Sequence, residues 1–225
     1  MKRFLMTLGG IVLIIILLVG SLALLRKSYS RPSVILTSNC DAPCWNGITP
    51  GQTGSWDVHE SLYEIEGISE VGGEYSRDEK LERYTWYFNR PIEDSGGSVW
   101  FDGERVMAIE ILSINSLDLE DLFEKLGDPE TYAKVLRKGE QREYLDVLLL
   151  YPSKGCLAEV LLDTKPGSNT VQIKPGTGVF RVAYFEPEKF YELMNTKVFF
   201  DVPVNINTLR LEPWAGYGEI AFERE

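Results

Sequence analysis

The stretch Ser116-Leu117-Asp118-Leu119-Glu120-Asp121-Leu122-Phe123-Glu124-Lys125-Leu126-Gly127-Asp128-Pro129 decides how this chain is read. Leu119, Leu122, Phe123 and Leu126 recur at i, i+3, i+4 and i+7, one face of an α-helix. Ser116 or Asp118 can cap its start, where Asp118, Glu120 and Asp121 also suit the positive end of the helix dipole. Gly127 can turn left-handed and ends the helix. Three strand signals follow, at Leu145 to Tyr151, Cys156 to Leu162 and Val179 to Phe185.

The same order stands upstream. Thr53 and Ser55 are N-cap candidates, and Trp56, Val58, Leu62 and Ile65 offer a helical stripe that Gly67, Gly72 and Gly73 end. Tyr84 to Phe88 then reads as a strand closed by Pro91. Ser98 to Phe101 runs into Asp102-Gly103, a hairpin dipeptide, and Val106 to Ile111 returns. Helix and strands thus occur twice, offset by roughly 60–70 residues, as a repeat of pattern rather than of residues. The expected fold is α+β, with two tandem helix-plus-antiparallel-meander units at 40–114 and 115–225. In the C-terminal extension, Pro187 opens a short helix through Phe190, Leu193 and Met194 that Asn195 can cap. Val198 to Phe200, Val202 to Val204 and Glu219 to Phe222 are expected to add one or two edge strands.

Upstream of both units, after a tip at 1–3, Phe4 to Leu25 is a run of 22 residues without a charge. At about 1.5 Å per residue it spans roughly 33 Å, enough for the hydrocarbon core as a single helix. It is read as a retained anchor and the contact with the lipid bilayer. Cleavage after Ser21-Leu22-Ala23 competes with that reading, as does lipidation, although no cysteine follows the run directly. Residues 26–39 form a linker. Basic residues flank both ends of the run, so charge leaves the orientation open. Cysteines bear on it instead. Cys40 and Cys44 enclose Asp41-Ala42-Pro43, a loop short enough to bring them into disulfide range, and such a bridge persists in an oxidising compartment. Two unpaired thiols are the alternative. Cys156, in an apolar stretch, reads as a buried thiol. The folded part is therefore expected outside the cytoplasm, in a bacterial cell envelope.

The chain carries 23 basic and 34 acidic residues, a formal charge of −11. Residues 32–225 hold 18 of the basic and all 34 of the acidic groups, a net of −16, which disfavours binding to a phosphate backbone. The one histidine, His59, reads as a solvated residue on the first helix, and no Gly-x-Ser-x-Gly elbow exists. One His and three Cys match no closed zinc site. Asp201 to Asn207 could offer oxygen ligands to calcium without EF-hand spacing. Gly176-Thr177-Gly178 and Gly96-Gly97 read as hairpin turns rather than phosphate cradles. Glu64 with Glu66, or Asp118 with Glu120 and Asp121, could serve a glycosidase-like mechanism, but in so acidic a chain they read as solvated faces. No catalytic residue, metal site or cofactor is assigned.

Among the tryptophans, Trp56, Trp86 and Trp100 lie on a helix face or in strands and read as core. Trp45 and Trp214 lie in the turn-rich segments Cys44-Trp45-Asn46-Gly47 and Pro213-Trp214-Ala215-Gly216-Tyr217-Gly218. They are the candidate anchors for a protein or glycan partner, the alternative being that they plug the end of the sheet.

The motif Cys40-x₃-Cys44-Trp45-x-Gly47-Ile48-x-Pro50-Gly51-x-Thr53 resembles one found in bacterial envelope proteins, and Leu122 to Pro129 with Tyr151-Pro152 resembles their second half. Ile48-x-Pro50-Gly51-x-Thr53 before a helix is similar to the opening of small envelope-assembly lipoproteins. Those proteins pack helices on one face of a small antiparallel sheet, and a tandem version resembles the secreted β-lactamase-inhibitor protein fold. The resemblance implies binding or assembly and supplies no catalytic residue. The reading is a membrane-anchored extracytoplasmic binding or scaffolding protein, with a carboxylate-based envelope or secreted hydrolase as the alternative.

Overall fold

The computed structural model describes residues 40–65, 67–76, 81–88, 96–113, 117–139, 142–194 and 209–224. The expected anchor at 4–25, the linker at 26–39, and the segments Val198 to Phe200, Val202 to Val204 and Asp201 to Asn207 lie outside them. No helix among the described residues is long and apolar enough to cross a membrane.

Helix α1 (Ser55–Glu64) leads into strands β1 (Ile68–Ser76), β2 (Leu81–Phe88), β3 (Gly96–Asp102) and β4 (Arg105–Leu112). Helix α2 (Leu119–Leu126) leads into β5 (Thr131–Lys138), β6 (Glu143–Tyr151), β7 (Cys156–Asp163), β8 (Thr170–Ile173) and β9 (Arg181–Phe185). A 3₁₀ turn at Pro187–Lys189 opens α3 (Phe190–Met194), and β10 (Glu212–Pro213) and β11 (Gly218–Ala221) follow. Among the described residues nine strands form one antiparallel sheet in the order β1-β2-β3-β4-β9-β7-β6-β5-β10, while β8 and β11 pair separately. The two runs of strands meet where β4 pairs with β9, from Ala108 opposite Phe185 to Leu112 opposite Arg181. The α+β class with an antiparallel sheet is as expected.

Among the described residues the first run holds one strand more than its sequence suggests, β1, and the second holds two more, β5 and β8. Gly72 and Gly73 do not stop α1 but lie within β1, where the Tyr84 ring covers Gly73. Gly96 and Gly97 open β3 instead of making a turn, because a Cβ at Gly97 would stand 2.2 Å from Cζ2 of Trp86. Asp102 and Arg105 do close a hairpin, with Gly103 at φ +63°. Neither Thr53 nor Ser55 caps α1, since Gly54 takes that place and the Thr53 hydroxyl accepts the Thr49 N–H instead. At α2 the Asp118 carboxylate accepts the Asp121 N–H as expected. Pro213 sits on the edge strand, where its missing N–H costs no ladder bond.

Both faces of the sheet are covered. On one, Val58 and Leu62 of α1 and Leu119, Leu122 and Leu126 of α2 pack against alternate residues of the strands, among them Val99, Ile109, Ile111, Leu149 and Val182. On the other, Phe190 of α3 packs with Trp100, Leu148, Leu150, Leu157 and Phe185. Strand β6 is accordingly buried at every position from Leu145 to Tyr151, the signature of a strand covered on both faces.

Candidate functional site

Cys40 and Cys44 are joined in a disulfide with Cα atoms 5.7 Å apart, and Cys156 is a free, buried thiol whose pKa burial pushes up. The bridged loop delivers Trp45 into a tight turn. Asn46 and Gly47 both take positive φ, at 47° and 82°, and Trp45 and Ile48 exchange backbone hydrogen bonds of 2.9 Å. Two successive residues with positive φ suit a turn of type I′, in which Asn-Gly is favoured. The turn carries Trp45 inward, where it is fully buried and stacked on Trp86 at 5.3 Å between ring centroids. Trp45 is thus a core residue and offers no surface to a partner, contrary to the expectation for it. Trp56 is the reverse case: two positions before Val58 places it about 200° around α1, and it is 89% exposed.

Trp214 lies where α2, β5 and the C-terminal extension meet. Pairing of Glu212 and Pro213 with Tyr132 and Thr131 fixes the chain beside β5, and Gly216 at φ +90° then turns it back toward α2. Trp214 meets Phe123 of α2 edge-on at 5.5 Å and Tyr132 of β5 at 5.8 Å, and Tyr217 stacks on Phe123 at 5.5 Å. Trp214 is half-buried with its Nε1 turned inward, sealed from solvent and without a hydrogen-bond partner, and Tyr217 is 41% exposed. One side of the cluster is fixed by Glu212, which accepts from the Tyr132 hydroxyl at 2.8 Å and pairs with Lys134 at 2.9 Å. Hydrogen bonds from Lys134 and Tyr132 hold Glu212 below the usual carboxylate range, while burial and then Glu212 push Tyr132 up to about 12. On the other side stand carboxylates. Partial burial, then Glu120, Asp118 and Asp128, raise the Tyr217 pKa. Partly exposed aromatic faces with adjoining carboxylates can stack on a sugar or a cationic group and accept its hydrogen bonds.

Sequence reasoning singled out Trp214 but missed Phe123, Tyr132 and Tyr217 as its neighbours. The spacing of aromatic and glycine residues from Trp214 to Gly218 is the signal that could have found Tyr217. The glycine-bearing stretch at 176–178 acquires a different role. Carbonyls of Pro175 and Thr177 accept the N–H groups of Glu120 and Leu119, so the start of α2 is closed by backbone and leaves no open anion cradle. The His59 ring meets the rings of Tyr63 at 4.9 Å and Tyr84 at 6.2 Å. No group of three or more His, Cys, Asp or Glu among the described residues could hold a metal ion.

A second polar feature crosses the α3-covered face of the sheet. Five adjacent strands each contribute one charge: Glu110 on β4, Arg181 on β9, Glu159 on β7, Asp146 on β6 and Arg137 on β5. Arg181 Nε donates to Glu159 at 2.6 Å and its Nη1 to Glu110, while Arg137 pairs with Asp146 and, at 3.5 Å, with Glu159. Burial works against the Arg181 charge, but Glu159 and Glu110 outweigh it and raise the guanidinium pKa. Among these five residues three carboxylates face two guanidinium groups. Burial of Asp146, then Glu159, push its pKa up to about 6 from 3.8.

Between those two pH values the native state keeps a proton that the unfolded chain has released, so this group favours folding at low pH. Its stabilisation is lost as pH rises toward 6. Asp146→Asn is therefore expected to raise stability at neutral pH by about 3 kcal/mol and to flatten the pH profile between about 4 and 6. Urea denaturation across that range checks it, and a slope unchanged by the substitution would contradict the assignment. The lowered Glu212 works in the opposite sense at lower pH, so the difference between parent and variant isolates Asp146.

No protein-family model matches the chain, and no curated protein does. Among solved structures, a cysteine-rich secretory protein from Staphylococcus aureus is similar at 11% identity with a TM-score of 0.28. The match covers 68% of this chain and 52% of that one. This chain thus spans about half the length of that neighbour, and so slight a likeness carries no argument.

Proposed function

We propose that the chain is a membrane-anchored, extracytoplasmic binding or scaffolding protein, held in the bilayer by residues 4–25 and engaging a protein or glycan partner through the Trp214 cluster. The observation that carries this reading is the aromatic surface of Trp214 and Tyr217, half open to solvent and bordered by Asp118, Glu120 and Asp128. The Cys40–Cys44 bridge supports an oxidising compartment. In the same reading, 40–114 and 115–225 are tandem units joined along β4 and β9, the arrangement that the resemblance to envelope-assembly proteins implies. The alternative, a carboxylate-based hydrolase, draws no support from Asp146 and Glu159. Both are sealed from solvent and turned to arginine, where no substrate could reach them.

Tyr217 tests the reading more cleanly than Trp214, whose ring also packs on the core. With the full chain crosslinked in native membranes, Tyr217→Ala is expected to weaken partner capture by about 2 kcal/mol, near 30-fold. The thermal midpoint should shift little, because the side chain is 41% exposed. Capture that is unchanged in a folded variant would remove the Trp214 cluster from the binding surface.

A further inference from the structure

Helix α1 exposes what a helix packed on a sheet has no reason to expose. Trp56 is 89% and Tyr63 58% exposed, while Val58 and Leu62 beneath them are fully buried. At about 100° per residue, Trp56, His59 and Tyr63 fall along one flank of the solvent side, and Asp57, Glu60 and Glu64 along the other. The His59 ring bridges the aromatic flank to Tyr84 of β2, which in turn meets Phe101 of β3 at 4.9 Å. The helix carries three carboxylates and no lysine or arginine. An indole left in water contributes nothing to the fold, and clustered exposed aromatics mark interaction surfaces.

We infer that this face of α1 docks a cationic amphipathic segment of a partner protein, its apolar side chains covering Trp56 and Tyr63 and its lysines or arginines pairing with Asp57, Glu60 and Glu64. Charge selects the occupant. A second copy would bring the same acidic stripe against this one, and residues 32–225 carry a net of −16, so self-association on this face is repelled. An anionic membrane surface is repelled for the same reason. A basic segment meets both flanks at once, as amphipathic helices do in apolar grooves edged by opposite charge. This surface lies on α1 rather than at the α2–β5 corner, and it stands or falls independently of the Trp214 cluster.

The test titrates the full chain with a synthetic helical peptide of lysine and leucine in amphipathic spacing, read by tryptophan emission and by calorimetry. Binding should blue-shift the emission, because Trp56 is the most exposed indole of the described residues. Trp56→Ala should remove that shift and weaken binding about tenfold. Glu60→Gln with Glu64→Gln should weaken it and flatten its salt dependence. Tyr87→Ala, an exposed ring on β2 outside this face, should leave binding unchanged. The inference would be overturned by no binding of the lysine peptide, equal binding by the Trp56→Ala chain, equal binding of a glutamate–leucine peptide, or the same blue shift with phosphatidylcholine vesicles alone. Self-association abolished by Trp56→Ala would overturn it in favour of a second copy.

Discussion

Trp45→Ala is expected to destabilise the folded part by about 3–5 kcal/mol, the usual consequence of removing a fully buried aromatic ring. The loss has two sources. The cavity lies against Trp86, whose stacking partner at 5.3 Å disappears. Trp86 is itself packed closely against Gly97, where a Cβ would stand 2.2 Å from the ring. The Asn46-Gly47 turn remains able to form, which makes the variant a test of packing rather than of turn geometry. Chemical denaturation should show a lower midpoint with the slope preserved. A loss below about 1 kcal/mol would mean that the ring is not the core element that its burial indicates.

Arg181→Met is expected to cost a similar amount, about 3–5 kcal/mol, for a different reason. Methionine fills most of the volume, so the penalty is electrostatic. Glu159 is 1% exposed and would keep only the 3.5 Å contact to Arg137, while Glu110 would lose the cation across the β4–β9 pair. A second change, Glu159→Leu in the Arg181→Met background, should restore part of the loss, because the stranded carboxylate is then gone. Equilibrium unfolding of the parent, both single variants and the double variant gives the coupling directly. Simple additivity of the two single effects would deny that these groups share one network.

Local periodicity carried the parts of this fold that were legible beforehand. Helix α2 declares itself because four apolar residues fall on one stripe and Asp118 and Gly127 mark its ends. Strands β1 and β5 do not. In β5, Lys134 reaches Glu212 and Arg137 reaches across to Glu159 and Asp146, so charged residues occupy both faces and the alternation disappears. In β1, paired glycines read as a helix stop until Tyr84 is seen covering one of them. The tryptophans teach a related point. A turn-rich neighbourhood says nothing about where a side chain aims, and the positive φ values at Asn46 and Gly47 turned Trp45 inward. The row of five charges could not be read at all from the chain, because Glu110 and Arg181 stand 71 positions apart and meet only through strand register. The corner around Trp214 was half legible: the indole drew notice, but Phe123 and Tyr132 come from distant segments.

The seam between β4 and β9 also bears on how the chain comes to be built. Strands β1 to β4 pair with sequence neighbours, whereas Leu112 must wait for Arg181, 69 positions later. Synthesis at about 5–20 residues per second leaves β4 as an open border for roughly 3–14 s. An uncovered apolar strand invites the border of another nascent molecule. Glu110, set in the middle of β4, discourages that: two such strands brought together would bury carboxylates with no cation between them. When β9 arrives it brings Arg181, and the residue that guarded the border becomes part of the bond that closes it.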